Sequence, residues 1–375
     1  MTRYVGLTWD HPRGVNALRA AERARGTDSF GIDWNVHPLE GFESHPIAEL
    51  AARYDLIVLD HPHLGEACAD GVLRPLDDYF SPEQLAAWAR DAVGPSFSSY
   101  SLEGRQWAVP LDAATQVAAV RLDLVAEVPQ TWHDVIDACH DGRVALSLSG
   151  PHAFLSFSSL CVAFGEAPQR NGDTFVSHDT GARALATLRS IAARAVVGTE
   201  SQSPIELLQR MSSTDDIAYI PLVYGYVNYS SPTLRFTDAP LELRRGSTIG
   251  GTGLALTQRC VVTPDVLAHI EWLMSAGTQT TFIPGHQGQP SHRGAWGDDV
   301  VGRQSHGFYS STLATIEGSW VRPRYTGFIG FQSEGSAIIR RVLSGDESIR
   351  AGLEQLDHSF RASQQALART QGAGA

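Results

Sequence analysis

The chain has 375 residues, 43% of them apolar, and a formal net charge of -12. That length exceeds what one hydrophobic core usually serves, so two domains are expected. The acidic balance, with no basic stripe, argues against a nucleic-acid or anionic-membrane surface and for a small molecule or another protein as partner.

All 29 cationic side chains are arginine. Every mechanism that needs an amine side chain is therefore excluded: a Schiff base, the P-loop lysine and a Ser-x-x-Lys nucleophile. Arginine can clamp an anion but does not serve as an ordinary base. Cys68, Cys139, Cys161 and Cys260 are far apart and form no Cys-x-x-Cys pair, so they read as reduced, buried thiols.

The first predicted element is a strand, Arg3–Trp9, which ends in Asp10-His11-Pro12. A strand so close to Met1 leaves no room for a secretory leader, so the sequence as written predicts a cytoplasmic protein, or a periplasmic or extracellular one if the natural start carries a signal peptide. No apolar run is long enough to insert into a membrane. Val15–Arg25, rich in Ala, Leu, Glu and Arg, predicts a helix, and Ile32–Leu39 a second strand. Pro46–Tyr54 predicts a short helix. Leu56–Leu59 is a third strand, and it too ends in a tripeptide of the same kind, Asp60-His61-Pro62, followed by His63.

In open α/β sheets, ligands bind outside the carboxyl ends of the strands, so two Asp-His pairs at two strand ends point to one cleft. Asp and Pro are also common turn formers, and the same tripeptides would start loops that bind nothing. Leu64–Gly71 and Leu85–Ala92 predict further helices, the second with Ser81 as its cap and Pro82 at its first position. Strand-helix-strand repetition of this kind implies a parallel sheet.

From Gly71 onward the chain resembles a known family. The stretches Gly71–Tyr79, Leu102–Pro110, Arg121–Leu124 with Val128–Trp132, Ile249–Leu256 and Gly285–Arg293 are similar, in order and spacing, to landmarks of extracellular solute-binding proteins of the type 1 sugar-transporter family. The resemblance covers about residues 4–300. It implies an α/β, two-lobe fold of the type II periplasmic-binding class, each lobe a mostly parallel sheet flanked by helices, with a ligand cleft between the lobes. Lobe 1 is then expected over 1–111 and 248–288, and lobe 2 over 112–247 and 289–375. The hinge crossings are expected near 110–116, 244–250 and 286–293.

On that frame the expected ligand contacts in the first lobe are Trp9 and Arg13, beside Asp10, His11, Asp60, His61 and His63, and Asp112 is a further expected contact at the first crossing. In the second lobe, Val144–Leu148 reads as a strand, and Ser149, Gly150 and His152 open a helix over Phe154–Phe164 whose N–H groups suit an oxyanion or hydroxyl. Ser, Gly and Pro at a helix start need no ligand, however. The aromatic stretch Tyr219–Tyr229 offers Tyr224, Tyr226 and Asn228, because the comparable segment in solute-binding proteins often stacks on a sugar face; a plain buried strand looks the same. Gly250 and Gly251 would allow close approach of a ligand, or simply form a turn, and they do not make a Rossmann fingerprint. Arg293 sits in a Gly- and Pro-rich loop with His286 and His292. No metal motif accompanies the histidines, and no cofactor is expected.

Two functions follow, and a third stays open. One is a solute-binding protein that closes on a small polar ligand, a sugar, polyol or small organic acid, with a permease or other protein partner unspecified. The other is a cytosolic enzyme on the same fold, an isomerase, lyase or hydrolase, using His11, His61, His63, Asp10 and Asp60 for general acid-base chemistry. The third is an intracellular ligand sensor. On an extended segment Asp10 and His11 point to opposite sides, whereas His61 and His63 share one. After Trp320 the chain reads as helical over Ser336–Leu343 and Ile349–Ala366, with a small polar tail, Thr370–Ala375, expected to fray.

Overall fold

Strand β1 (Thr2–Trp9) lies parallel to β2 (Phe30–His37), and the register runs from Thr2 opposite Phe30 to Trp9 opposite His37. The helix Pro12–Arg25 connects them, with Pro12 in its first turn and the His11 imidazole as its cap. The computed structural model describes residues 2–26, 30–38 and 46–372. The second strand therefore starts two residues before the expected Ile32, and Leu39 lies outside the described residues.

The chain divides into two compact units, Met1–Ala114 with Gly250–Gln304, and Thr115–Ile249 with Ser305–Ala375. In the first unit, β3 (Leu56–Leu59) pairs with β1 in parallel, as the strand-helix-strand repetition requires. All four residues of β3 are buried, which is why it reads as an unbroken apolar run. Short strands follow: β4 (Leu73–Arg74), and β5 (Ser101–Leu102) with β6 (Arg105–Gln106), which form a small antiparallel pair. Ser81 caps the helix Pro82–Asp91 by accepting from Gln84 N–H. Leu7, Ile57, Leu59, Leu64, Tyr100 and Ala255 share the core on one side of this sheet.

β7 (Val109–Arg121) is buried along all 13 residues and runs on from the first unit into the second. The expected polar crossing at Asp112–Gln116 is thus the middle of a strand, its polar groups satisfied inside the protein. In the second unit, β8 (Tyr219–Tyr224) and β9 (Leu234–Thr237) both pair antiparallel with β7. A mostly parallel sheet was the expectation for each lobe; the described ladders of the second unit are antiparallel. Val144–Leu148 is a further departure, because it makes one parallel bridge, Val144 to Tyr219, rather than a ladder. The chain returns through β10 (Ile249–Thr257), which pairs antiparallel with β3 and β4 in the first unit. Segment 289–304 also belongs to the first unit, where Gln289 Nε2 donates to Ala113 O at 2.7 Å.

The second unit packs around Phe154 on the fully buried helix His152–Ala163. Phe175 and Phe331 lie 5.1 and 5.3 Å from it between ring centroids, and Phe360 lies 5.4 Å from Phe175. Gly335 lets these rings close up, since a Cβ there would sit 2.7 Å from Phe154. The helices Phe328–Ser344 and Ile349–Gly372 carry the last two phenylalanines, so both C-terminal helices exist and run beyond their expected bounds. The expected fraying tail from Thr370 is helical to Gly372, and 373–375 lie outside the described residues. The four cysteines are free; Cys139, Cys161 and Cys260 are buried, and Cys68 is partly so. Among the described residues, no helix is long and apolar enough to cross a membrane.

Candidate functional site

In the first unit, the carboxyl ends of the neighbouring parallel strands β1 and β3 bring Asp10 and Asp60 to the same edge of the sheet. Asp10 is exposed, and its N–H donates to His37 O at 2.9 Å, which extends the β1–β2 ladder by one step. His11 turns back instead, and its Nδ1 accepts from Arg13 N–H at 3.2 Å. The proline turn thus decides between the two alternatives that an extended strand would have left. The His11 ring stacks on Trp9 at 5.1 Å with the planes 4° apart. Burial, then the charge of Arg13, pushes the His11 imidazole down to about 4.

Trp9 is 2% exposed and closely covered. A Cβ on Gly14 would fall 2.4 Å from its Nε1, and the Arg13 guanidinium lies 5.5 Å from its ring. Arg13 is itself held by Asp112: Nε donates to Oδ2 at 2.5 Å and Nη2 to Oδ1 at 2.6 Å. This side-on fork is the strong form of a guanidinium–carboxylate contact. Asp112 belongs to β7, and its carbonyl is approached by Gly251, where a Cβ would sit 2.4 Å away. Gly251 has φ +91°, so the expected turn at Gly250 and Gly251 is a left-handed residue inside β10.

Asp60 caps a single 3-10 turn, His61–His63, by accepting from His61 N–H at 2.9 Å. The His61 Nδ1 lies 3.1 Å from the same carboxylate, and the ring meets Tyr100 edge-on at 6.2 Å. Tyr100 OH donates towards Leu59 O and Gly251 O, each at 3.3 Å. Because the segment is a turn and not extended, His61 and His63 project about 120° apart and do not share a side. Both are buried. Arg293, in the short helix Arg293–Trp296, is exposed.

In the second unit, Ser149 Oγ donates to Gln202 O at 3.0 Å. Gly150 has φ +51°, and its carbonyl accepts from Arg340 at 2.8 Å. His152 begins the helix two residues earlier than expected, with its N–H on Ser149 O at 2.9 Å. Its ring meets Tyr224 edge-on at 5.9 Å, so the helix start and the aromatic strand do converge. Burial, then Arg322, drives the His152 imidazole down to about 3. Tyr224 is half-buried, and Tyr226 is buried against Tyr229 at 6.3 Å. Asn228 is half-buried in the turn Val227–Tyr229.

Sequence reasoning missed Arg322, which is 3% exposed and donates to Gln332 Oε1 at 3.1 Å. The signal was an arginine just after Trp320 and before Pro323, in a stretch read only as a lead into helices. It also missed the hydroxyl network of Thr115, Ser247, Ser159 and Thr248 around Gln116, which satisfies the polar residues of β7. Among the described residues no group of three or more His, Cys, Asp or Glu is placed to hold a metal ion.

Comparison with known proteins gives these arrangements a context. The family of bacterial extracellular solute-binding proteins matches residues 45–282. No curated protein matches the chain in sequence. Among solved structures, an ABC-transporter solute-binding protein of Agrobacterium radiobacter K84 in complex with ribitol is 17% identical, with 96% of this chain and 98% of that chain covered and a TM-score of 0.79. A solute-binding protein of Thermotoga lettingae TMO with α-D-tagatose is 12% identical, covering 97% and 100%, with a TM-score of 0.81. Maltose-bound MalE3 of T. maritima is 14% identical, covering 96% and 99%, with a TM-score of 0.79. The α/β fold is therefore that of the sugar-binding proteins of ABC transporters. With more than half of its length matched, the chain belongs to the bacterial extracellular solute-binding protein family.

Proposed function

We propose that this protein binds a small polyhydroxylated solute, a sugar or polyol, and hands it on unchanged to a membrane permease in an extracytoplasmic setting. The observation that carries this reading is the family match over residues 45–282. It is supported by a fold shared with proteins whose structures hold ribitol, tagatose and D-mannitol. The candidate contacts are polar in both units: Asp10, His11 and Asp60 at the strand ends of the first, and His152, Tyr224 and Asn228 in the second. Carboxylates and neutral imidazoles accept from hydroxyl groups, and a tyrosine offers a flat face and a polar tip, a mixture suited to sugars.

The titration of His11, one of the imidazoles named for acid-base chemistry, also favours binding over chemistry. His11 near 4 and His152 near 3 are neutral at pH 7. A general acid-base catalyst works best with its pKa close to the operating pH, whereas a neutral imidazole is a fixed hydrogen-bonding group.

The test is a calorimetric titration with ribitol, mannitol, tagatose and maltose, followed by recovery of the bound solute for mass spectrometry. Saturable binding with the solute recovered intact is expected. Consumption of any bound solute, or failure of the whole polyol and sugar panel alongside binding of an unrelated class, overturns the reading.

A further inference from the structure

A hollow of about 530 Å³ in the second unit is lined by none of the candidate ligand contacts named above. Leu146, Leu148, Val196 and Leu343 form its apolar walls, and Arg340 and Glu200 also line it. The three leucines belong to the unit's main core, so the hollow reaches from that core to the surface. At its lip Val197 is 89% exposed, the most exposed large apolar side chain among the described residues. The volume falls within the usual range for small-molecule sites, about 300–1,000 Å³.

Arg340 gives this hollow its chemistry. Its Nη1 donates to Leu148 O at 3.0 Å and to Gly150 O at 2.8 Å, which fixes the guanidinium in place. Burial lowers its pKa, so the charge is partly stripped of water. Among the described residues it makes no ion pair, and its Nε and Nη2 have no protein acceptor. Those are the two donors with which Arg13 grips Asp112. A preset fork of this geometry matches a carboxylate, and the apolar walls match a hydrocarbon body.

We propose that the hollow is a second binding site, for a small amphipathic carboxylate whose alkyl or aryl body lies on Leu146, Leu148, Val196 and Leu343 and whose carboxylate takes Nε and Nη2 of Arg340. Glu200 opposes such a ligand and keeps its affinity modest. Asp346, also on the lining, accepts from the Ser344 hydroxyl at 2.7 Å and opposes such a ligand as Glu200 does.

Octanoate, 1-octanol and octylamine titrated into the full chain by calorimetry test the proposal. Octanoate is expected to bind at millimolar concentration or below, and the other two at least about tenfold more weakly, because they keep the body and lose the fork's partner. Arg340→Met should weaken octanoate about tenfold without affecting 1-octanol, and Glu200→Gln should strengthen it about threefold. Ala193→Trp, at an exposed position on the lining, should block both by filling the mouth. Circular dichroism confirms which variants fold, and polyol binding should be unchanged in the Glu200→Gln and Ala193→Trp variants, so failure here is separate from failure of the solute-binding reading. Equal affinity for octanoate and 1-octanol, no octanoate binding, or wild-type affinity in a folded Arg340→Met or Ala193→Trp variant overturns it.

Discussion

Arg13 and Asp112 meet side-on through two short hydrogen bonds, with both side chains about 5% exposed or less. The pair fastens the start of the helix Pro12–Arg25 to β7, the strand on which the chain leaves the first unit. A buried pair of this kind contributes little over an apolar replacement, yet removing one member leaves a lone buried charge. Arg13→Met or Asp112→Asn should therefore cost about 3–5 kcal/mol in urea unfolding. The double change Arg13→Met with Asp112→Leu should recover much of that loss. If Arg13→Met combined with Asp112→Asn loses the sum of those two single effects, the residues are not coupled.

Gly251 is a tight backbone position beside that pair. A side chain there meets both a left-handed φ and the Asp112 carbonyl, so Gly251→Ala is expected to cost about 2–4 kcal/mol. Thermal melting measures it. A loss within experimental error would mean that β10 can shift away from β7 residue Asp112 without penalty.

His269 should make the protein sensitive to acid. It is 1% exposed, lies between Phe30 and Trp272 at 5.5 and 6.0 Å, and neither ring nitrogen has a hydrogen-bond partner among the described residues. Burial, and secondarily Arg25, lowers its pKa to about 4. The unfolded imidazole titrates at about 6.5, so between these values the unfolded chain holds the extra proton. Its contribution is complete above pH 6.5 or so and is lost as the pH falls towards 4, by about 3 kcal/mol. His269→Phe should flatten the stability profile in that window by a similar amount. An unchanged slope would show that His269 titrates normally in the fold.

His152 and Tyr224 are the second unit's candidate solute contacts. His152→Ala and Tyr224→Ala should each weaken polyol or sugar binding about tenfold while the thermal midpoint stays within a few degrees. A folded Tyr224→Ala variant with full affinity would remove the tyrosine from the site.

The first unit was largely legible in the sequence because its strands are fully buried and end abruptly. Leu56–Leu59 could be read as a strand from four apolar residues, and Asp60 and Pro62 marked its end. What could not be read was the orientation of the residues beyond. Whether His61 and His63 share a side depends on a 3-10 turn that Asp60 caps, and a period-two reading has no access to it. The same limit hid the partner of Arg13, Asp112, which is 99 residues away. In the second unit, Val144–Leu148 has the composition of a strand but forms one bridge, at Val144, and no ladder among the described residues. Composition recorded its burial, and only the tertiary arrangement decided its pairing.

The cysteines described above give the chain a practical property. Burial raises the thiols of Cys68, Cys139 and Cys260 to about 12, 11 and 12, and that of Cys161 well above its ordinary range. Attack on maleimides and iodoacetamides proceeds through the thiolate, so the native protein should be almost silent to both near neutral pH. A single cysteine placed on an exposed turn would accept a fluorophore cleanly, and the chain can then be followed by emission without first removing its own sulfur.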